Sequence, residues 1–240
     1  MSSARIVVAF TVLTSLLLAG PAQAERRKDD VSLLMSLDSF VEQAIASREE
    51  IDLQRREELD QLARESVAWI EDNDTLDLVF VCTHNSRRSQ MAQVWAHVAA
   101  VHYGVRGLAT YSGGTESTAC NPRTVQALKT AGLAVDTRSD GENPIYRVRF
   151  AQRGKPLQLF SKVYQDDTNP SEDFFAILCC SEADQSCPLV EGAKQRYALH
   201  YLDPKLSDET PTEAETYMER NRQIAREMFY LVSRVARAVK

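Results

Sequence analysis

The sequence predicts an α/β fold: a doubly wound sheet of about four parallel strands with flanking helices, plus an N-terminal helical extension and a β-hairpin insertion. Three observations predict it. Short apolar runs at 78–81, 108–112, 174–180 and 197–202 alternate with stretches of helical spacing. The first run ends at Cys82 and passes through a short polar loop directly into a helical pattern. The chain then closes on a long helical stretch, 211–239, with Ile224, Met228, Leu231 and Val235 on one face.

The elements follow in order. In the extension, 25–74, Leu33, Leu37, Phe40, Val41 and Ala44 recur at helical spacing, as do Leu59, Leu62, Ala63, Val67 and Ile70. Charged Ser47-Arg48-Glu49-Glu50 separates the two patterns, which read as a helical hairpin packed on the core or as a dimerisation element. The core domain, 75–240, opens with the strand at 78–81. A helix over 87–103 places Met91, Val94, Trp95 and Val98 on one face. A strand at 108–112 and a helix at 122–131 come next. Within an insertion, 136–173, the runs 145–150 and 157–163 flank Arg153-Gly154-Lys155-Pro156 and predict a hairpin. Strands at 174–180 and 197–202 precede the terminal helix.

The chain has 240 residues and a net charge of −6, a poor match to nucleic-acid binding. Residues 1–24 read as a secretory signal: Arg5, a charge-free apolar run over 6–19, then Pro21-Ala22-Gln23-Ala24 before charged Glu25-Arg26-Arg27-Lys28. The run falls short of the roughly 20 apolar residues a membrane span needs. The expectation is export, with no stable span after cleavage; the alternative is an uncleaved N-terminal anchor. Five cysteines leave at least one thiol without an intramolecular partner.

The chemistry concentrates in Cys82-Thr83-His84-Asn85-Ser86-Arg87-Arg88-Ser89. A strand that delivers a cysteine, a loop of backbone N–H groups and a helix N-terminus make a pocket for a tetraoxyanion. The same field favours a thiolate at Cys82, and Arg88 supplies a planar fork for two anion oxygens. Thr83, His84, Asn85, Ser86, Arg87, Arg88 and Ser89 are the candidate anion-binding residues. In Cys179-Cys180-Ser181-Glu182-Ala183-Asp184-Gln185-Ser186-Cys187-Pro188, Cys180 and Cys187 stand seven apart. With no Cys-x2-Cys pair and no paired histidine spacing, no metal or cofactor is expected.

The loop resembles that of the low-molecular-weight protein tyrosine phosphatase superfamily, Cys-Thr-Gly-Asn-Ser-x-Arg-Ser, with His84 at the glycine position. Gln90-Met91-Ala92, Ser112-Gly113-Gly114-Thr115-Glu116 and Asn121-Pro122-Arg123 extend the likeness, which runs from 77 to the C-terminus except between 136 and 173. The second cysteine cluster is similar to Cys-Ser-x-Ala-Asp-x-x-Cys-Pro of the thioredoxin-coupled arsenate reductases, the branch this chain resembles most. That resemblance implies a relay in which Cys82 attacks arsenic, Cys180 attacks Cys82, and Cys187 resolves the disulfide for a thioredoxin-like reductant. It also implies that Asp203, in Asp203-Pro204, is a proton donor.

Competing readings stand beside these. The alternative that the superfamily implies is a phosphatase that hydrolyses phosphotyrosine or aryl phosphates through a phosphocysteine, although Lys205-Leu206 replace the tyrosines usual after its Asp-Pro. Cys180 also reads as a buried structural thiol, Cys179 as a packing residue facing the other way, Cys120 as a filler and Asp203-Pro204 as a plain turn. His84 stands where an unusual backbone angle is expected, and its ring reads as a further anion donor or a solvent-facing group. His97, His102 and His200 form no ligand spacing. Export would place the thiols in an oxidising compartment, so either a dedicated reductant serves them or Cys180 and Cys187 form a structural disulfide.

Overall fold

The computed structural model describes residues 31–186 and 189–239. The expected signal over 1–24 and Cys187 lie outside the described residues.

Strand β1 (Leu76–Cys82) is apolar and buried along its length except at Asp77, as a central parallel strand requires. It pairs in parallel with β2 (Leu108–Gly114) on one side and β6 (Phe174–Leu178) on the other. Strand β7 (Ala193–Ala198) adds to β6, giving a four-stranded parallel sheet of order β2-β1-β6-β7. Helix α3 (Arg88–Tyr103) packs on β1 and β2 and presents Met91, Val94, Trp95 and Val98 to the core. Helix α4 (Pro122–Thr130) starts on Asn121, whose side chain accepts from Arg123 N, with Pro122 preset for the first turn. The long α6 (Glu213–Ala238) lies against α3 and α4.

The N-terminal extension supplies α1 (Asp38–Ala46) and α2 (Leu53–Asn73), joined by the 3-10 turn Ser47–Glu50. Asp52 caps α2 by accepting from Arg55 N at 2.9 Å. Both helices pack on α6, and α2 also reaches β1. Leu37, Val41, Leu59 and Leu62 join the same core as the sheet, and Phe40 stacks on Trp95 at 4.7 Å. Trp95 in turn donates from Nε1 to Asn221 Oδ1 of α6 at 2.7 Å.

Three elements differ from expectation. The hairpin over 145–150 and 157–163 forms, as β4 (Tyr146–Arg149) against β5 (Leu157–Leu159), but β3 (Ala134–Thr137) adds to it and makes a three-stranded antiparallel sheet. Its four residues are too short a run to show a period. The last strand of the main sheet is Ala193–Ala198, not 197–202. It is an edge strand with polar Lys194, Gln195 and Arg196, which one open side tolerates. The apolar letters at 199–202 belong to an extended segment that runs beyond it, and Leu202 is 73% exposed. A short helix, α5 (Ser181–Ser186), follows β6 where no element was expected. No helix among the described residues is long and apolar enough to cross a membrane.

Candidate active site

Cys82 ends β1 at the carboxyl edge of the sheet, where folds of this class bind their ligands. The loop after it turns into α3, whose N-cap residue Arg87 makes no side-chain cap. The first-turn N–H groups are thus left for another acceptor. Cys82 Sγ lies 3.0 Å from Ser89 Oγ.

Asn85 sets the loop's shape. It is fully buried with φ +46, a left-handed conformation that asparagine tolerates. Its Oδ1 accepts from Lys162 N at 3.1 Å and Gln90 Nε2 at 3.1 Å, and its Nδ2 donates to Ser89 Oγ at 2.9 Å. A backbone N–H only donates, so the Lys162 contact fixes the amide orientation. Ser89 Oγ accepts from Asn85 and keeps its own hydrogen for the Cys82 sulfur. The left-handed angle therefore sits at Asn85 and not at His84, which is absent from the positive-φ residues. His84 instead turns its ring to Glu116, with Nε2 3.3 Å from Oε1 at the mouth of the loop.

The remaining wall comes from elements distant in sequence. Glu116 N donates to Thr83 O at 3.0 Å and Thr115 N to Cys82 O at 3.2 Å. Ser86 Oγ donates to Ala119 O at 2.6 Å, and Ser86 O accepts from Asn121 N at 3.0 Å. From the insertion, Ser161 Oγ donates to His84 O at 2.7 Å, and Ser161 is itself held by Asn143 through two hydrogen bonds. The insertion thus braces the anion loop. A Cβ on Gly114 would stand 2.7 Å from Thr83 O, 2.9 Å from Asn85 N and 2.3 Å from Glu116 O, all backbone atoms. Gly114→Ala is expected to displace the loop, costing about 1–3 kcal/mol of stability and most of the affinity for phosphate. Calorimetric titration with phosphate checks this, and unchanged affinity would contradict it.

Arg88 is buried and fully engaged on one side. Nη1 donates to Tyr201 O at 3.1 Å and Nη2 to Asp203 Oδ2 at 2.8 Å. Its Nε is buried and has no hydrogen-bond partner among the described residues. Asp203 Oδ1 accepts from Lys205 N at 3.0 Å, so this residue both caps the turn Pro204–Ser207 and faces the arginine. Arg87 points away from the loop: Nε donates to Tyr217 Oη at 2.8 Å, and Tyr217 donates to Asp208 Oδ1 at 2.8 Å. Burial pushes the Tyr217 hydroxyl up to about 12.

Cys180 lies just past β6, beside Thr83. Its Sγ is 3.5 Å from Thr83 Oγ1 and accepts from Ala183 N at 3.4 Å. Burial pushes this thiol up, while Thr83 and the Arg88 charge oppose the shift. Helix α5 is pinned through Asp184, which pairs with Arg196 and lies 3.0 Å from His200 Nε2. His200, without a role in the motif reading, stands beside this pair, although its Nε2 makes no hydrogen bond among the described residues. Cys120 is buried and its thiol is pushed up to about 12 by burial, which suits a filler.

Arg55, in the extension, also reaches this region. Its Nη2 donates to His200 O at 2.6 Å, its guanidinium lies over the Tyr201 ring at 5.5 Å, and its Nε is 3.5 Å from buried Glu227. Burial raises the Glu227 carboxyl, with Arg55 opposing. Arg55→Ala is expected to destabilise the fold by about 3 kcal/mol, because it strands a buried carboxylate. Urea denaturation measures the loss, and Glu227→Gln in the same chain should restore most of it. A loss of less than about 1 kcal/mol, the range of an exposed pair, would refute the clamp. Ser161, Asn143 and Arg55 carry no local motif; only the tertiary fold brings them here.

Residues 77–147 match the family model described as low molecular weight phosphotyrosine protein phosphatase. Over those residues the chain is similar to this family. Curated relatives include an arsenate reductase 2 of Staphylococcus epidermidis, 25% identical over 157 residues that cover 61% of this chain and 99% of that protein. The arsenate reductase of Bacillus subtilis is 27% identical over 145 residues, covering 60% of this chain and 86% of the relative. Among solved structures, a low molecular weight protein tyrosine phosphatase from T. tengcongensis aligns at TM-score 0.46 and 15% identity, over 66% of this chain and 99% of that one. An arsenate reductase from Archaeoglobus fulgidus aligns at TM-score 0.44 and 21% identity, over 65% and 98%.

Proposed function

We propose that this protein belongs to that family and reduces arsenate to arsenite with its own thiols. The observation that carries the reading is the second thiol, Cys180, seated 3.5 Å from Thr83 of the Cys82 loop. An arsenate dianion is held by the loop N–H groups and the Arg88 fork, including its unpartnered Nε. The anion competes with Asp203 for Arg88, which frees that carboxyl to pass a proton to a departing oxygen. Cys82 attacks arsenic with loss of water. The Cys180 thiolate then attacks the Cys82 sulfur, and the electron pair of the sulfur–arsenic bond leaves with arsenic as arsenite. Cys187 attacks Cys180, which releases Cys82, and an external dithiol of thioredoxin type reduces Cys180–Cys187. To reach Cys82, Cys180 leaves its Thr83 and Ala183 contacts, so α5 moves in each cycle. The curated relatives named arsenate reductases support the reading.

Hydrolysis of aryl phosphates is the second reading, favoured by Asp203 Oδ2 at 2.8 Å from Arg88, where a leaving-group acid belongs. Assay of the purified protein with a dithiol reductant, against arsenate and against an aryl phosphate, tests both. Arsenite release supports the first; hydrolysis without arsenite release replaces it with the second. The proposal includes export through residues 1–24. N-terminal sequencing from the native host should then begin at Glu25, and an intact Met1 in a cytosolic fraction would refute it.

A further inference from the structure

The segment that carries Asp203 meets the anion loop at two points. At the first, Arg88 Nη2 donates to Asp203 Oδ2 at 2.8 Å. The second is at Asp208. Arg87, next to Arg88 in the chain, donates from Nη2 to Asp208 Oδ2 at 3.4 Å. Its Nε donates to Tyr217 Oη at 2.8 Å, and Tyr217 Oη stands 2.8 Å from Asp208 Oδ1. A guanidinium only donates, so the tyrosine oxygen accepts from Arg87 and its single hydrogen goes to Asp208. Both oxygens of the Asp208 carboxylate are thereby held. Arg123 Nε, from α4, adds a positive charge 3.8 Å from Oδ1.

This network is largely closed to water. Tyr217 is 2% exposed, and the side chains of Arg87 and Asp208 are 11% and 21% exposed. Ion pairs at this depth are screened less than those on the surface. The stretch between the two points is stiff. Lys205 N donates to Asp203 Oδ1 at 3.0 Å, Ser207 Oγ to Pro204 O at 2.8 Å and Asp208 N to Lys205 O at 3.0 Å. Pro204 is buried and its ring fixes one more backbone angle. A group that holds Asp208 therefore holds Asp203.

The two points respond differently to a bound oxyanion. The anion competes with Asp203 for Arg88. The Arg87 side chain faces away from the loop, toward α6, so its hold on Asp208 survives. Arg87 Nε also stands 3.9 Å from Asp203 Oδ1, a second positive charge beside the freed carboxylate. We infer that Arg87, Tyr217 and Asp208 are positioning residues: they keep Asp203 over the anion loop once the anion has taken Arg88 from it. Arg87, a candidate anion ligand by its place in the loop, acts instead on the proton donor. Without this clamp the acid swings out with its segment, and leaving groups that need a proton depart slowly.

The inference rests on the reading of Asp203 as proton donor. The test is kcat/KM of the full chain on two esters. Phenyl phosphate has a leaving group that needs a proton; dinitrophenyl phosphate has one that does not. Tyr217→Phe and Asp208→Ala are each expected to lower the first value about tenfold and the second by less than about threefold. Activity on the dinitrophenyl ester also reports that the variants fold. Added to Asp203→Asn, neither should cost anything further on phenyl phosphate, because residues that act through one group are not additive. Asp208→Asn keeps an acceptor for the Tyr217 hydroxyl and should recover part of the loss. No loss in either variant, equal losses on both esters, or losses that add to that of Asp203→Asn overturn the clamp and leave Asp203 as the donor. If Asp203→Asn itself slows both esters equally, the proton donor falls and the clamp with it. A parent that hydrolyses neither ester also overturns the clamp, while arsenite release would leave the reductase reading standing.

Discussion

Cys82→Ser is expected to lower turnover of either substrate by about 10⁵-fold, because removing a nucleophile removes the whole covalent route. Binding of phosphate should survive. The loop's shape rests on Asn85, Gln90, Ser161 and Gly114, and none of their contacts uses the sulfur. Arg88→Lys should cost about 10²–10³-fold, comparable to losing an oxyanion donor. A lysine is a point charge and cannot hold Tyr201 O, Asp203 and the anion in one planar fork. Single-turnover kinetics on an aryl phosphate, beside calorimetric binding of phosphate, separates the effects. Turnover by Cys82→Ser within tenfold of the parent would remove the sulfur from the mechanism.

The second large effect separates reductase from phosphatase. Cys180→Ser and Cys187→Ser should each stop catalytic cycling with arsenate, since every cycle needs three thiols to exchange one disulfide. Both should keep aryl-phosphate hydrolysis within about threefold, because that reaction uses only Cys82, Arg88 and an acid such as Asp203. After arsenate, Cys187→Ser should hold a Cys82–Cys180 bond, whereas the parent should carry Cys180–Cys187. Peptide mapping by mass spectrometry reads either bond. If arsenate produces no disulfide in the parent, the reductase reading is lost and hydrolysis takes its place.

These effects also divide what was legible in the letters from what was not. The anion loop was legible because its parts are contiguous: a buried strand, Cys82, a polar loop and Arg88 at a helix start. The parallel sheet was legible because central strands are buried on both faces and read as unbroken apolar runs, as 174–178 does. The edge strand Ala193–Ala198 was not, because one open side admits Lys194, Gln195 and Arg196 and erases the apolar pattern. His84 stands where the resembling loop has glycine, yet the left-handed angle belongs to Asn85. The type of a residue does not reveal the φ of its neighbour.

By itself, then, the sequence determined the chemistry available to this protein: a cysteine and an arginine at fixed spacing around a helix N-terminus, and further thiols downstream. Local order suffices for that, since strand, loop and helix start follow one another along the chain. Only the tertiary structure decided which distant groups complete the site. It brought Asp203 and Tyr201 to Arg88, Ser161 to His84 O, Arg55 to the acid-bearing segment, and Cys180 beside Thr83. The reason is geometric. Strand register and helix packing set distances between residues far apart in the chain, and no periodicity within a short window carries that information.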